Sequence, residues 1–225
     1  METGDAELAS GESAGIPKGG EGGMISVIVP VYAVDDSLVD MTERCFDSLR
    51  HISETYQLII VDNGSPKMIS RFPGAVGIFN NDNLGYAKAV NQGIARALGD
   101  ELLILNNDCE LTEGAVEEMR RYLHDLDTGA VTACPAGSHG PQGCCWMIKK
   151  TMFERIGPMD ERYEIATFED TDYWRRIEDA GLKVKIAERA AVKHVGRATF
   201  SRLLNHEEIF KKNKERFEAK WGCLA

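Results

Sequence analysis

Short runs that are apolar throughout alternate along this chain with segments whose apolar residues recur every three or four positions, and that alternation leaves few architectures open. Ile25–Val29 is a β-branched run closed by Pro30. Leu38, Met41, Cys45, Leu49 and Ile52 then mark one face of a helix. Gln57–Val61 reads as a second buried strand, stopped by Asp62, Asn63, Gly64 and Ser65, and Val76–Phe79 as a third. Tyr86, Ala89, Val90, Ile94 and Ala97 form another helical face, closed by Gly99. Glu101–Leu105 runs into Asn106, Asn107 and Asp108. Thr112 is placed to cap a helix carrying Val116, Met119, Leu123 and Leu126, and Ala130–Cys134 is a further strand. Strands without a polar face must be covered on both sides. The pattern therefore predicts one α/β domain with a mostly parallel, Rossmann-like central sheet flanked by helices. In such sheets ligands bind beyond the carboxyl ends of the strands, where Asp62 and Asp108 stand.

The second half is less regular. Residues 135–143 are a Gly/Pro-rich loop, followed by a strand over Cys144–Ile148 and a short helix over Lys149–Ile156. Glu169–Ala180 reads as a helix, Leu182–Ala187 and Ala191–Val195 as two short strands. Glu207–Trp221 reads as a charged terminal helix with Ile209, Phe210, Phe217 and Trp221 on its apolar side. Residues 1–23 are rich in Gly, Glu, Ser and Ala and hold almost nothing to bury, so they are expected to be a disordered extension of a domain spanning 24–225. Met24 opens the first strand directly and is expected to be the native start.

Charge and motif content narrow the function. Thirty-six acidic residues against 26 Lys and Arg leave a net charge of -10, which excludes a general binder of nucleic-acid backbones. A diphosphate can still be handled by a metal ion or a few placed cations. No apolar run approaches the roughly 20 residues of a membrane-spanning helix. The six cysteines show no CxxC pair, and no secretory leader precedes them, so reduced thiols and a cytoplasmic location are expected. GxGxxG, GxxxxGK[ST] and GxSxG are all absent, against a dinucleotide-binding dehydrogenase, a P-loop enzyme and an α/β-hydrolase. Carboxylates at the ligand-binding edge, with His194 after a late strand, make a donor set that suits Mn²⁺ or Mg²⁺.

Six motifs carry a resemblance: Ser26 to Tyr32, Leu58 to Ser65, Asn83 to Gly93, Leu103 to Asp108, Gly143 to Ile148, and Phe168 to Arg175, followed by His194 and Lys220-Trp221-Gly222. In this order the chain resembles the family-2 glycosyltransferases of the GT-A fold, especially short rhamnosyltransferase-like members, over essentially everything after Met24. The resemblance implies that Asp62 contacts the base or ribose of a UDP-, dTDP- or GDP-linked sugar, in a pocket lined by Pro30 and Tyr32. Asn83 and Lys88 would face base or phosphates, although Asn83 serves equally as a helix N-cap. Asn106-Asn107-Asp108 stands where relatives carry Asp-x-Asp, which makes Asn107 a ribose contact and Asp108 a metal ligand, with His194 as the second ligand and Mn²⁺ or Mg²⁺ as cofactor. Asp170 becomes the catalytic base, with Glu169 or Asp172 positioning the acceptor. The three acids equally suit the first turn of a helix. Arg197 would reach the diphosphate. Trp146 would stack on the sugar or pack in the core.

The expected activity is inverting, metal-dependent transfer of a sugar from a nucleoside diphosphate donor to a hydroxyl of a glycan or lipid-linked acceptor, at most peripheral to the inner face of a membrane. A silent nucleotide-sugar or glycan-binding module and a sugar nucleotidyltransferase are the alternatives. The first has no use for a positioned base. The second usually needs a Gly-rich, basic loop after the first strand, and Val31 to Val34 has neither feature.

Overall fold

The computed structural model describes residues 23–69, 72–135, 140–196, 198–199, 202 and 205–222. The expected extension (except Gly23), Arg197 and Cys223 lie outside the described residues.

The chain runs β1 (Ile25–Val31), α1 (Asp36–Ser48), β2 (Tyr56–Asn63), β3 (Val76–Asn80), α2 (Tyr86–Ile94), β4 (Glu101–Leu105), β5 (Cys109–Leu111) and α3 (Ala115–Leu123). Then come β6 (Thr128–Pro135), β7 (Cys145–Lys149), α4 (Lys150–Ile156), α5 (Glu169–Asp179), β8 (Lys183–His194) and α6 (His206–Trp221). Among the described residues these strands form one eight-stranded sheet in the order β3-β2-β1-β4-β7-β6-β8-β5. β1 pairs in parallel with β2 and β4, β2 with β3, and β6 with β8. β7 runs antiparallel between β4 and β6, and β5 antiparallel to β8.

The strand composition explains the layers. Along β1, Val27, Val29 and Val31 point to one face and pack with Leu38, Cys45 and Leu49 of the α1 region and Met119 and Leu123 of α3. Ile28 points to the other face, with Val90 and Ile94 of α2 and Tyr173 and Ile177 of α5. Each such buried aliphatic side chain contributes about 1.5–3 kcal/mol relative to an exposed one, so a strand apolar at nearly every position is stable only in the middle of three layers.

Several local expectations change. Leu126 is fully exposed, because α3 ends at Leu123 and the chain turns before reaching it. Thr112 does not cap α3: Gly114 occupies the N-cap, and the Thr112 hydroxyl donates to the Ala191 carbonyl at 2.6 Å. Asn83 is not the N-cap of α2 either. Gly85 is, at φ 92°, and the Asn83 side-chain oxygen accepts from the Gly85 N–H at 3.0 Å. The two late strands are one, β8, whose register against β6 shifts between Ala133 and Cys134. β5 was not legible, since three residues carry too little periodicity to read. Trp146 is a core residue, wholly buried against Tyr173 and, edge-on, Trp174.

Candidate active site

A cleft of about 300 Å³ opens at the carboxyl ends of β1, β2 and β4. Pro30, Val31 and Tyr32 line it from β1, Asn63 from β2, Asn83 and Tyr86 from the start of α2, and Asn106, Asn107 and Asp108 from the turn after β4. Gln142 to Cys144 before β7, Ile165 to Thr167, Glu169 and Asp170 at the start of α5, His194 at the end of β8, and Ala198, Thr199 and Phe210 complete the lining.

Asp108 and His194 meet because β5 pairs with β8. Cys109 stands opposite His194 in that ladder, which brings His194 Nε2 to 3.4 Å from Asp108 Oδ1. Burial alone would push the imidazole down. Hydrogen bonds to Asp108 and Cys144 outweigh burial and raise it to about 10. The Cys144 thiol is pulled down to about 6, chiefly by a hydrogen bond from Cys109 and then by His194. The Asn107 side-chain N–H donates to Thr42 Oγ1 at 2.8 Å, which fixes the turn on α1. Asn106 Oδ1 is buried on the cleft lining with no partner among the described residues, and a buried acceptor of that kind needs a partner from elsewhere. The Asp108 carboxylate and the His194 imidazole, with the unpartnered Asn106 oxygen on the same cleft lining, form a donor set that fits a divalent cation of the Mn²⁺ or Mg²⁺ kind.

The opposite wall is carboxylate. Asp170 Oδ1 accepts from the Thr171 N–H at 2.7 Å, and burial raises its pKa above the ordinary aspartate value. Glu169 is buried and lies well above the ordinary glutamate value, first through burial and then through Asp170 beside it. Gly143 is obligatory here: a Cβ would stand 2.5 Å from Asp170 Oδ2.

The backbone leading to these acids is strained. Ile165, Thr167 and Phe168 adopt φ values of 55°, 86° and 68°, a region that β-branched and bulky residues rarely enter. Two anchors hold it. The Tyr86 N–H donates to the Ile165 carbonyl at 2.6 Å. Asn213, fully buried on α6, accepts from the Glu164 N–H at 2.9 Å and donates to the carbonyls of Glu164 and Ala166 at 2.8 and 2.9 Å. Sequence reasoning missed Asn213. The signal was a polar residue at the four-residue spacing of Ile209 and Phe217, on the side of α6 that is buried. It also missed Asn63 and Asn106, hidden among turn-forming neighbours.

Pro30, Tyr32, Asn83, Asn107, Asp108, Glu169, Asp170 and His194 thus converge on one cleft. Three expected residues do not line it. Asp172 is wholly buried, and its Oδ1 takes hydrogen bonds from Tyr163 Oη at 3.1 Å and Trp221 Nε1 at 2.7 Å, with Lys220 Nζ at 2.7 Å. It ties α6 to α5 rather than facing an acceptor, because residue 172 lies across the helix from residue 170. Lys88 is half-buried on α2, outside the lining. Asp62 stands in register with Val31 at the rim, and its Oδ1 accepts from the Ser65 N–H at 2.9 Å.

Comparison with known proteins gives this arrangement a context. The chain is 32% identical over 114 residues to an undecaprenyl-phosphate 4-deoxy-4-formamido-L-arabinose transferase of Proteus mirabilis, and 27% identical over 114 residues to that of Edwardsiella ictaluri. Each alignment covers 47% of this chain and 34% of the relative, so the chain spans about a third of the length of the curated relatives it matches. Its fold is similar to that of the mannosyltransferase PcManGT of Pyrobaculum calidifontis, solved with GDP-Man and Mn²⁺ (TM-score 0.65, 15% identity, 80% of this chain and 59% of that one). It is also similar to GalNAc-T7, solved with UDP, GalNAc and Mn²⁺ (TM-score 0.69, 15% identity, 88% and 48%). Both likenesses establish a glycosyltransferase fold of the GT-A kind. The model of the family described as Glycosyl transferase family 2 matches residues 26–176, from the first residues of β1 into α5, and the chain belongs to that family.

Proposed function

We propose that this chain transfers a sugar, with inversion, from a nucleoside diphosphate donor to a hydroxyl of a lipid-linked or glycan acceptor, in a metal-dependent reaction. The observation that carries the reading is the placement of Asp108 and His194 on one wall of a single cleft and Asp170 on another, at the carboxyl ends of the parallel strands. Asp108 and His194 would hold a Mn²⁺ or Mg²⁺ ion, whose charge offsets that of the leaving diphosphate. Pro30, Tyr32 and Asp62 would take the base, Asn107 and Asn83 the ribose and its neighbourhood, with Lys88 and Arg197 as outer contacts. Asp170 accepts the proton of the acceptor hydroxyl as that oxygen attacks. Its raised pKa suits this role, because a carboxylate withdrawn from water is a better base. Glu169, beside Asp170 and raised well above the ordinary glutamate value by burial, would orient the acceptor. Attack from the Asp170 side, opposite the diphosphate, accounts for inversion.

The relatives named for undecaprenyl-phosphate favour a lipid-linked acceptor. Among the described residues no helix is long and apolar enough to cross a membrane, so such an acceptor would be met at its surface. A thermal-shift panel of UDP-, dTDP- and GDP-sugars with Mn²⁺ tests the reading, since a bound donor raises the melting temperature by mass action. One donor class should raise it, and EDTA should reverse the shift. No shift with any donor, or shifts indifferent to EDTA, would refute the proposal. Donor binding without transfer to any acceptor would reduce the chain to a binding module.

A further inference from the structure

Cys109, Cys144 and His194 each bring one ligand atom, two sulfurs and a ring nitrogen, within 4.8 Å of one another. No step of the transferase reading uses a thiol. The cluster is built by three separate pieces of backbone. Cys109 stands opposite His194 across the β5–β8 ladder. Cys144, just before β7, is tied in by its own carbonyl, which accepts from the Asn106 N–H at 2.8 Å and from Cys109 Sγ at 3.5 Å. Both cysteines are buried, and His194 and Cys144 reach the cleft lining. The imidazole therefore has both a carboxylate and two sulfurs within reach.

The two kinds of ligand select different ions. Oxygen-rich sets favour Mn²⁺ and Mg²⁺, whereas two thiolates with an imidazole favour Zn²⁺ and other thiophilic cations. Two cysteines and one histidine, with a fourth position left for water or substrate, is an established zinc ligand set. The ligands are pinned by sheet pairing and a main-chain hydrogen bond, so little ordering is needed on binding. We propose that Cys109, Cys144 and His194 form a site for a thiophilic divalent cation, Zn²⁺, at the edge of the cleft. The site goes beyond the transferase reading and shares only His194 with it, so Zn²⁺ competes with the Asp108–His194 pair for that side chain. Zn²⁺ enters as the Cys109 thiol, any Cys144 still protonated and the His194 imidazolium release their protons to the solvent.

The test titrates Co²⁺, a spectroscopic stand-in for Zn²⁺, into the full chain under a phosphine reductant. A thiolate-to-cobalt charge-transfer band in the near ultraviolet should appear, saturate at one equivalent and be bleached by one equivalent of Zn²⁺. Cys109→Ser and Cys144→Ser should each lose the band and bind Zn²⁺ at least about 100-fold more weakly, since even outer-shell partners are worth about 10–100-fold. Cys134→Ser, outside the cluster, should keep it. If Cys144→Ser fails to fold, Cys109→Ser and His194→Gln carry the test. Cobalt binding without the band, or a band that survives Cys109→Ser, overturns the proposal. Mn²⁺-supported donor binding is measured in parallel. Its absence would refute the transferase reading without moving the band, and Asp108→Asn should abolish donor binding while leaving the band in place.

Discussion

The floor of the cleft and its far wall are built on opposite principles. The floor is the ends of β1, β2 and β4, strands apolar at nearly every position and paired in parallel, whose turns present Asn63 and Asn106 to Asp108 as the chain leaves the sheet. The turn after β4 is tied down by side chain and backbone in ordinary geometry, with Asn107 on Thr42 of α1 and the Asn106 N–H on the Cys144 carbonyl, each at 2.8 Å. The far wall is Ile165 to Asp170, a segment in unfavourable backbone geometry held by Asn213 from a helix some fifty residues later and by the start of α2. A floor made by strand ends is rigid by default. A wall made by strained loop is rigid only while its anchors hold, and in this molecule that wall carries the proposed base.

The largest effect should come from the floor. Asp108→Ala should abolish metal-dependent donor binding, measured by titration calorimetry with and without EDTA. Retained, EDTA-insensitive binding would show that the floor does not hold the cation.

The wall should answer differently. Asp170→Asn keeps size and most hydrogen bonding but removes basicity, so donor affinity should persist while turnover falls by roughly 10²–10⁴-fold. In the wild-type chain, kcat/KM should fall as pH drops through the raised Asp170 value, placing the acid limb above the ordinary aspartate range, because the base works only when ionised. If Asp170 merely complements the helix dipole, the variant should instead lose up to about 1 kcal/mol of stability with turnover intact.

Asp172 sharpens the contrast, being two residues from Asp170 on the same helix. Asp172→Ala orphans the Tyr163 and Trp221 donors, removes one of the two carboxylates paired with Lys220, and should cost about 3 kcal/mol of stability, read by denaturant unfolding. Its turnover per folded molecule should fall far less than that of Asp170→Asn.

Asn213→Ala tests whether the wall depends on its anchor. It should cost about 1–3 kcal/mol and lower kcat by about 10–100-fold with donor affinity unchanged, as expected when a catalytic group is displaced by about an ångström. Equal losses in donor binding and kcat would mean that α6 supports the whole domain and not the wall.

The smallest effect concerns Glu169. Its folded-state pKa lies well above the unfolded value, so wild-type stability declines as pH rises from the unfolded value toward the folded one. Glu169→Gln should raise the melting temperature at neutral pH and leave it unchanged below the ordinary glutamate range. A gain that is the same at every pH would remove the charge explanation.

How much of this was legible follows the same division. The strands and α1 to α3 were readable because periodicity is a local property, and every residue of β1 is buried as its composition demands. The ends misjudged were those set by neighbours. Leu126 looked like a continuation of its helix until the chain turned, and Thr112 looked like a cap until Ala191 claimed its hydroxyl. Within the site, Asp108, His194, Asn107, Asp170 and Glu169 were legible through the ordered motifs around them, and the fold brings them to one cleft. Asp172 was not separable from Asp170 by sequence, since which side of α5 faces the cleft depends on where α6 docks.

The sequence by itself determined the layered α/β architecture, the sheet edge at which ligands would bind and the family, because apolar periodicity, strand-end turns and motif order are all written along the chain. Only the tertiary structure decided which acid faces the cleft and which is a clamp, that Asn213 restrains Ile165 to Thr167, and that two cysteines thirty-five positions apart share a histidine. Those outcomes depend on pairings between remote segments, β5 with β8 and α6 with the wall. Such a pairing is set by the packing of the whole domain, and no local pattern encodes it.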